Sequence, residues 1–478
     1  MPVSVQDHVI RQEARCTSKD NLISINMDSI VSKYHVAAPR YTSYPTVPYW
    51  DLTDFNAEKW AQAAAQSFKE SNDSDGISVY IHLPFCESLC TYCGCNTRIT
   101  KNHQVEEPYI AAVLKEWQLY LNLFVSRPKI KELHLGGGTP TFFSAENLQV
   151  LIEGILQYAD LHEDAEFSFE AHPGNTNPEH LSTLNRLGFR RLSLGIQDFD
   201  PTVQLIINRI QSYEQVEEVT LKARESGYTS INYDLIYGLP KQNPAGLSDT
   251  LDAVLKLRPD RIAFYSYAHV PWVKPGQRRY TEADLPSPKM KQELYELGRK
   301  KLKDGGYIDV GMDHFTLATD SLYGAEIKGN LHRNFMGYTH QYSRLMVGLG
   351  VSSISDTWSA FAQNVKKVED YIRIVNEGEL PVFKGHLLTE EDLMIRKHIL
   401  NIMCRGYTSW SRTEEQSAAL NEGLKRMRWL ALDGLVLLSE ENLRVTPLGK
   451  RFLRNICMAL DARLWANQPT TQLFSLTG

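Results

Sequence analysis

Four cysteines fall between positions 86 and 95: Cys86, Cys90, Cys93 and Cys95. The first three have the spacing C-x3-C-x2-C, on a stretch that follows the apolar run Ile77–His82. Thiolates are soft ligands that select zinc, copper(I) or iron–sulfur clusters. A structural zinc site takes four tetrahedral ligands, commonly two pairs from separated turns, and here every candidate shares one loop. Three thiolates on one loop can hold three corners of an iron–sulfur cube and leave the fourth iron open to a ligand. Cys95 stands two positions after Cys93, a very tight spacing for reaching another corner, and is expected beside the cluster rather than on it. The competing reading is a zinc-binding or simply buried set of thiols.

Further candidates stand where other apolar runs end. Gly136-Gly137-Gly138-Thr139 follows the run Glu132–Leu135. Glycine lets backbone groups approach a ligand closely, although a tight strand-to-helix turn would use the same residues. The motif is not G-x-G-x-x-G, which disfavours a Rossmann dinucleotide site. Glu170, Gln197, Asp234 and Ala268-His269 lie at or just after the runs Glu166–Glu170, Arg191–Gly195, Ser230–Leu235 and Arg261–Ser266.

The elements that must position these residues alternate. Between the strand-like runs lie helical patterns, such as Ile110, Val113, Leu114, Trp117 and Leu121. Six strand–helix units imply a parallel sheet with helices outside, doubly wound or curled toward a barrel. Tyr307–Val310 and Leu345–Val351 are expected to extend or close it. In such folds ligands bind outside the carboxyl ends of the strands, where the candidates above collect. The organisation expected is an N-terminal extension (1–75), a catalytic unit (76–385) and a mostly helical, winged-helix-like domain (386–478). In the extension, the first thirty or so residues read as mobile and Asp54–Lys69 as a helix capped by Asp54. In the last part a hairpin is expected from Leu435–Leu438 to Leu443–Thr446.

Composition sets the outer bounds. With 42% hydrophobic and 23% charged residues the chain reads as globular, not disordered. A net charge of −6 argues against a general nucleic-acid surface, and basic residues of the last domain are interleaved with acidic ones. No run of about 18 apolar residues suggests a membrane span. The first twenty residues hold Asp7, Arg11, Glu13 and Arg15 with no apolar core, so no secretory signal is expected. Seven cysteines in such a chain are no disulfide framework; a cytoplasmic protein is expected.

C-x3-C-x2-C just after a first strand resembles the signature of radical S-adenosylmethionine enzymes. The wider segment, with Tyr80, His82, Pro84-Phe85 and the added Cys95, resembles the oxygen-independent coproporphyrinogen III oxidase family. The resemblance continues through Arg40–Thr46, Leu135–Pro140, Gly195–Phe199, Asn208-Arg209, Asp234–Gln242, Tyr267–His269, Gly311–Phe315, Leu331–Phe335 and Arg454–Met458. It implies an α/β fold, a partial, open (β/α)6-type parallel barrel with a mostly helical C-terminal domain and an N-terminal extension. It also implies a 4Fe–4S cluster on Cys86, Cys90 and Cys93, with S-adenosylmethionine chelating the fourth iron and a 5′-deoxyadenosyl radical formed by reductive cleavage. That radical would take a β-hydrogen from the ring A and B propionates of coproporphyrinogen III, and loss of CO2 would leave the vinyls of protoporphyrinogen IX.

By the same resemblance, Tyr80, His82 and Cys95 join the catalytic group, and Tyr80 and Tyr92 contact the cofactor. The methionine amine meets Gly137 and Gly138, Glu170 accepts hydrogen bonds, and Ala268 and Ile354 line the adenine pocket. A second S-adenosylmethionine is implied near Gly138, Thr139, Gln197, Arg209 and Asp234. The expected partner is a low-potential electron donor such as a flavodoxin system, to a monomer that needs no nucleic acid or membrane span. Two departures bear on the site: Met336 stands where the family commonly has glutamine, and Ala171-His172 where Val-Asp is usual. A haem chaperone of the same ancestry, which generally lacks the fourth cysteine, and a radical methyltransferase that opens haem are the competing functions.

Overall fold

The computed structural model describes residues 27–412, 415–469, 471 and 473–477. Most of the stretch expected to be mobile, and Cys16, lie outside the described residues. Six strands stand where the apolar runs predict them: β1 (Ile77–Leu83), β2 (Lys129–Gly137), β3 (Asp160–Ala171), β4 (Phe189–Gln197), β5 (Ser230–Tyr237) and β6 (Arg261–Ser266). They pair in that order, every pair parallel. Beyond β6 the sheet continues antiparallel through β7 (His314–Thr316). Before β1 it gains one more parallel strand, β8 (Leu345–Leu349), followed by three antiparallel ones. The resulting 12-stranded sheet therefore has two distinct edges. It is a curled parallel core left open, not a closed barrel.

The strands are built on an alternation. In β1, Ile77, Val79, Ile81 and Leu83 join the main hydrophobic core, while Ser78, Tyr80 and His82 take the other face. The same split separates Leu133 and Leu135 from Glu132, His134 and Gly136 in β2. It separates Phe167 and Phe169 from Ser168 and Glu170 in β3, and Leu192, Leu194 and Ile196 from Ser193 and Gln197 in β4. In β5 it separates Tyr233 and Leu235 from Asn232 and Asp234. Successive strand side chains point to opposite faces, so one face carries the apolar packing and the other collects polar groups. Strands in parallel sheets are usually apolar on both faces. A polar interior face is thus a feature that the packing alone does not require.

Helices cover the apolar face. Trp60, Ala64 and Phe68 of α1 (Ala57–Ser71) and Tyr109, Val113 and Trp117 of α2 (Glu106–Leu123) enter the main core. The N-cap of α1 is Asn56 rather than the expected Asp54. The Asn56 side chain accepts the Lys59 N–H at 3.0 Å, whereas Asp54 donates its own N–H to Asp51 in a preceding turn. Helix α3 (Pro288–Asp304) packs beside β5 and β6 through Leu294 and Gly298.

After Leu387 the chain forms α4 (Glu390–Arg405), a strand at Tyr407–Ser409, α5 (Ala418–Leu432) and the hairpin Val436–Leu438/Asn442–Val445, which makes a three-stranded sheet with the Tyr407 strand. Helix α6 (Leu453–Leu460) follows. Ile30, Tyr41 and Tyr44 share the core of these helices with Ile395, Ile399 and Ile456. Arg454 of α6 donates to the carbonyls of Ala38 and Pro39, so the N-terminal segment lies between this unit and the sheet. No helix among the described residues is long and apolar enough to cross a membrane.

Candidate active site

Strand β1 ends at Leu83, and the cysteine loop starts two residues later. Its root is sewn to the end of β2. Gly138 N–H donates to Leu83 O at 2.8 Å and Thr139 N–H to Phe85 O at 3.0 Å. Gly138 is required by this approach, because a Cβ there would lie 2.6 Å from the Pro84 carbonyl. Gly137, at φ 119°, turns the chain over the His82 ring. Two further segments hold the loop tip. Asn208, after β4, donates to Leu89 O at 2.7 Å. After β6, Gln277 donates to Tyr92 O at 3.1 Å and Lys274 to Cys95 O at 3.0 Å.

The loop closes one side of an open cavity of about 690 Å3 at the carboxyl ends of the strands. Cys86, Cys90, Tyr92, Cys93 and Cys95 line it from the loop, and Gly137, Gly138, Thr139, Glu170, Gln197, Arg209 and Asp234 from the strand ends. Twelve of the sixteen residues singled out in the sequence therefore meet on one cavity. Tyr80, His82, Ala268 and Ile354 are not among its lining residues. Tyr80 and His82 stand behind the loop, and the Ala268 carbonyl accepts from Gln277 at 3.2 Å. Ile354 sits on the strand beyond β8. The positions noted in the sequence as departures lie close by: Ala171 and His172 line this cavity, and Met336 lines a polar cavity that shares Glu170, Ser193, Asp234 and Tyr265 with it.

The thiols are individually placed. Cys86 Sγ is 3.3 Å from Thr139 Oγ1, Cys90 Sγ accepts from Arg209 Nη1 at 3.7 Å, and Cys93 Sγ accepts the Cys95 N–H at 3.4 Å. Among the described residues no three His, Cys, Asp or Glu side chains converge as a single-ion site would have them. A cavity-facing set of three soft donors, with an Arg beside one and a glycine approach opposite another, fits a cluster of several metal atoms.

The carboxylates are set apart by their neighbours. Burial raises Glu170, but His134, whose Nε2 is 3.6 Å away, and the Gly137 N–H outweigh it, so its carboxyl is held below the ordinary value. Burial first, then the Glu170 charge, pushes Asp234 up to about 6, against hydrogen bonds from Asn232 at 2.9 Å and Ser193 at 3.2 Å. Opposed environments of this kind are how a site obtains one ionised and one protonatable carboxyl near neutrality. Arg209 also donates to Gly195 O at 2.5 Å. Behind the loop, the Asn96 carbonyl can only accept, so His82 Nε2 carries the proton and Nδ1 accepts from Tyr80 Oη at 3.0 Å. Burial lowers the His82 pKa, which keeps the ring neutral.

Sequence reading missed His134, Ser193, Asn232 and Tyr265. Their signal was the polar half of each strand's alternation. The tethers Asn208 and Gln277 carry no local signal, since what they hold is a backbone carbonyl more than a hundred residues away in chain order.

A three-cysteine loop after the first strand of an open parallel barrel defines the radical S-adenosylmethionine class, and the Radical SAM superfamily model matches residues 80–254. The chain belongs to the oxygen-independent coproporphyrinogen III oxidase family. It is 38% identical over 441 residues to the oxygen-independent coproporphyrinogen III oxidase of Escherichia coli K12, covering 91% of this chain and 95% of that one. The Helicobacter pylori J99 enzyme of the same name is 38% identical, covering 91% and 96%, and that of Synechocystis 36%, covering 93% and 97%. The solved coproporphyrinogen III oxidase of Escherichia coli, described as a radical SAM enzyme, aligns with a TM-score of 0.84 at 36% identity, covering 91% of this chain and 99% of that one.

Proposed function

We propose that the chain oxidatively decarboxylates coproporphyrinogen III without oxygen, converting the ring A and B propionates to vinyls, with the electron left by each loss of CO2 passing to a separate one-electron acceptor, and giving protoporphyrinogen IX for haem biosynthesis. The observation that carries this reading is the single cavity where the C-x3-C-x2-C thiols face Gly138, Glu170, Arg209 and Asp234. A bound 4Fe–4S cluster supplies the electron that splits S-adenosylmethionine and so the hydrogen-abstracting radical. Cys86, Cys90 and Cys93 would hold it at the cavity wall, within reach of the cofactor. Cys95 serves beside it.

The protein's own groups do the rest. Gly137 and Gly138 bring the backbone at the end of β2 to the cavity wall, where it meets the methionyl end of the cofactor, and Glu170, kept ionised, accepts from its amine or hydroxyls. Arg209 places positive charge against Cys90 and toward a cofactor carboxylate, which it can meet bidentately. Gln197, Thr139 and Asp234 complete the place for a second S-adenosylmethionine. Tyr80 and His82 fix the root of the loop through their mutual hydrogen bond. The loop's clamps to the β4 and β6 extensions support a site that excludes water, which a carbon radical requires. Residues 76–385 are the catalytic unit in this reading, with 1–75 and 386–478 around it, in a cytoplasmic monomer served by a low-potential donor such as a flavodoxin system.

The test is metal analysis after anaerobic reconstitution. Serine at Cys86, Cys90 or Cys93 is expected to lose the cluster together with 5′-deoxyadenosine formation, and serine at Cys95 to keep the cluster. Full iron and sulfide in any of the first three variants, or cluster loss in the fourth, contradicts the ligand assignment.

A further inference from the structure

A third cavity, of about 90 Å3, lies between α3, the ends of β5 and β6, the segment around Arg40, and α6. Its charges do not balance. Arg40, Lys291, Arg451 and Arg454 line it against Glu296 and Asp313. Arg451 is paired with Glu296, and Arg40 stands 3.8 Å from Asp313. Arg454 spends its guanidinium on the backbone carbonyls of Ala38, Pro39, Ser475 and Leu476. Lys291 donates to the Tyr267 carbonyl at 3.1 Å. Neither of the last two has a carboxylate within ion-pair distance among the described residues. Close by, Arg333 is 5% exposed, and its Nε and Nη1 have no hydrogen-bond partner among the described residues; its charge, with those of Arg40 and Arg454, acts on Asp313.

Such an excess is costly. Burying a charge without a counter-charge is strongly unfavourable, because the lost hydration is not replaced. The Lys291 position is nonetheless built for. Its stem lies over Gly238, where a Cβ would stand 2.9 Å from Lys291 Cε. Burial first, then the charges of Arg454 and Arg40, lower its pKa to about 8. An ammonium has three donors, and the Tyr267 carbonyl takes one. The walls are aromatic, with Tyr34, Tyr237, Tyr295 and Phe452. Tyr265 and Ser266, neighbours at the end of β6, line the cysteine cavity and this one respectively.

We infer that this cavity binds the carboxylate of a flat, apolar acid, with Lys291 as its ligand and Arg454 and Arg333 supplying the field. The acid is either a propionate of the tetrapyrrole substrate, an assignment that rests on the function proposed above, or a free aryl-carboxylic acid.

The experiment titrates the cluster-loaded protein, with S-adenosylmethionine present, with coproporphyrin III, its tetramethyl ester and 3-phenylpropionate. Binding is followed by porphyrin fluorescence and by competition. Lys291→Met is expected to weaken coproporphyrin III about tenfold, the size of one charge-assisted hydrogen bond, and Lys291→Arg to restore it. The ester should bind weakly to both the unaltered protein and the variants, and iron content should not change. If only 3-phenylpropionate responds to Lys291→Met, the site is for a free acid and the substrate assignment is overturned. If neither acid responds, the inference falls. Should coproporphyrin III bind through Lys291 while the unaltered protein leaves coproporphyrinogen III unchanged, the proposed function fails and the site stands.

Discussion

Cys86, Cys90 and Cys93 stand out in the sequence because three thiols fall at the spacing C-x3-C-x2-C within one loop. What holds that loop could not. Gly138 reads as one member of a glycine run, and only the fold shows that its α-carbon is pressed against the Pro84 carbonyl. Adding a methyl there must move backbone, a strain of about 1–3 kcal/mol. Gly138→Ala is therefore expected to retain iron but to lose at least about tenfold in 5′-deoxyadenosine yield, the equivalent of about 1.4 kcal/mol in the cofactor's placement. Parallel iron and nucleoside analysis checks this, and unchanged yield would show that the approach of β2 to the loop is not needed.

At the level of elements, the six parallel strands were legible because each apolar run is short, bounded by turns and followed by a helical pattern. The second half of their alternation was less so. Apolar residues in β1 predict burial, but Ser78, Tyr80 and His82 are also buried, and only pairing with β2 and β8 shows that they face a polar interior. The cap of α1 was misplaced by two residues since Asp54 and Asn56 have equal capping chemistry, and the Asp51 turn decides between them. Behind β1, Glu116 of α2 shows how the outer layer is tied down. It accepts from Gly350 N at 2.7 Å, Tyr371 Oη at 2.6 Å and Asn364 Nδ2 at 2.7 Å. Burial nonetheless raises its pKa from 4.5 to about 7. A carboxyl that binds its proton more tightly in the folded than in the unfolded state costs stability once ionised. Its contribution therefore falls as pH rises from about 4.5 to 7 and is level above that, by at most about 3 kcal/mol. Urea unfolding of Glu116→Gln is expected to lose this part of the slope, whatever its absolute stability. An identical slope in both proteins would contradict the assignment.

The whole molecule joins parts that lie far apart in sequence. Arg40 reaches Ser266 O at 2.7 Å, Tyr41 donates to Asp461 at 3.0 Å, and Arg454 closes over Ala38 and Pro39. The N-terminal segment was read as an extension because its contacts are with residues more than two hundred positions away, which no local pattern reports. The same long-range assembly creates the cationic cavity beside β6, whose residues come from seven separate stretches of chain. The hairpin in the last unit stands where its apolar runs predict, and the Tyr407 strand beside it is too short to show in periodicity.

The most direct measurement follows coproporphyrinogen III in anaerobic protein loaded with its cluster and supplied with S-adenosylmethionine and a reductant. Two molecules of CO2 should be released per substrate, with two propionates becoming vinyls and 5′-deoxyadenosine appearing in step. Serine at Cys93 should abolish all three. Substrate left intact by the fully loaded protein, or decarboxylation that continues without S-adenosylmethionine, would contradict this function.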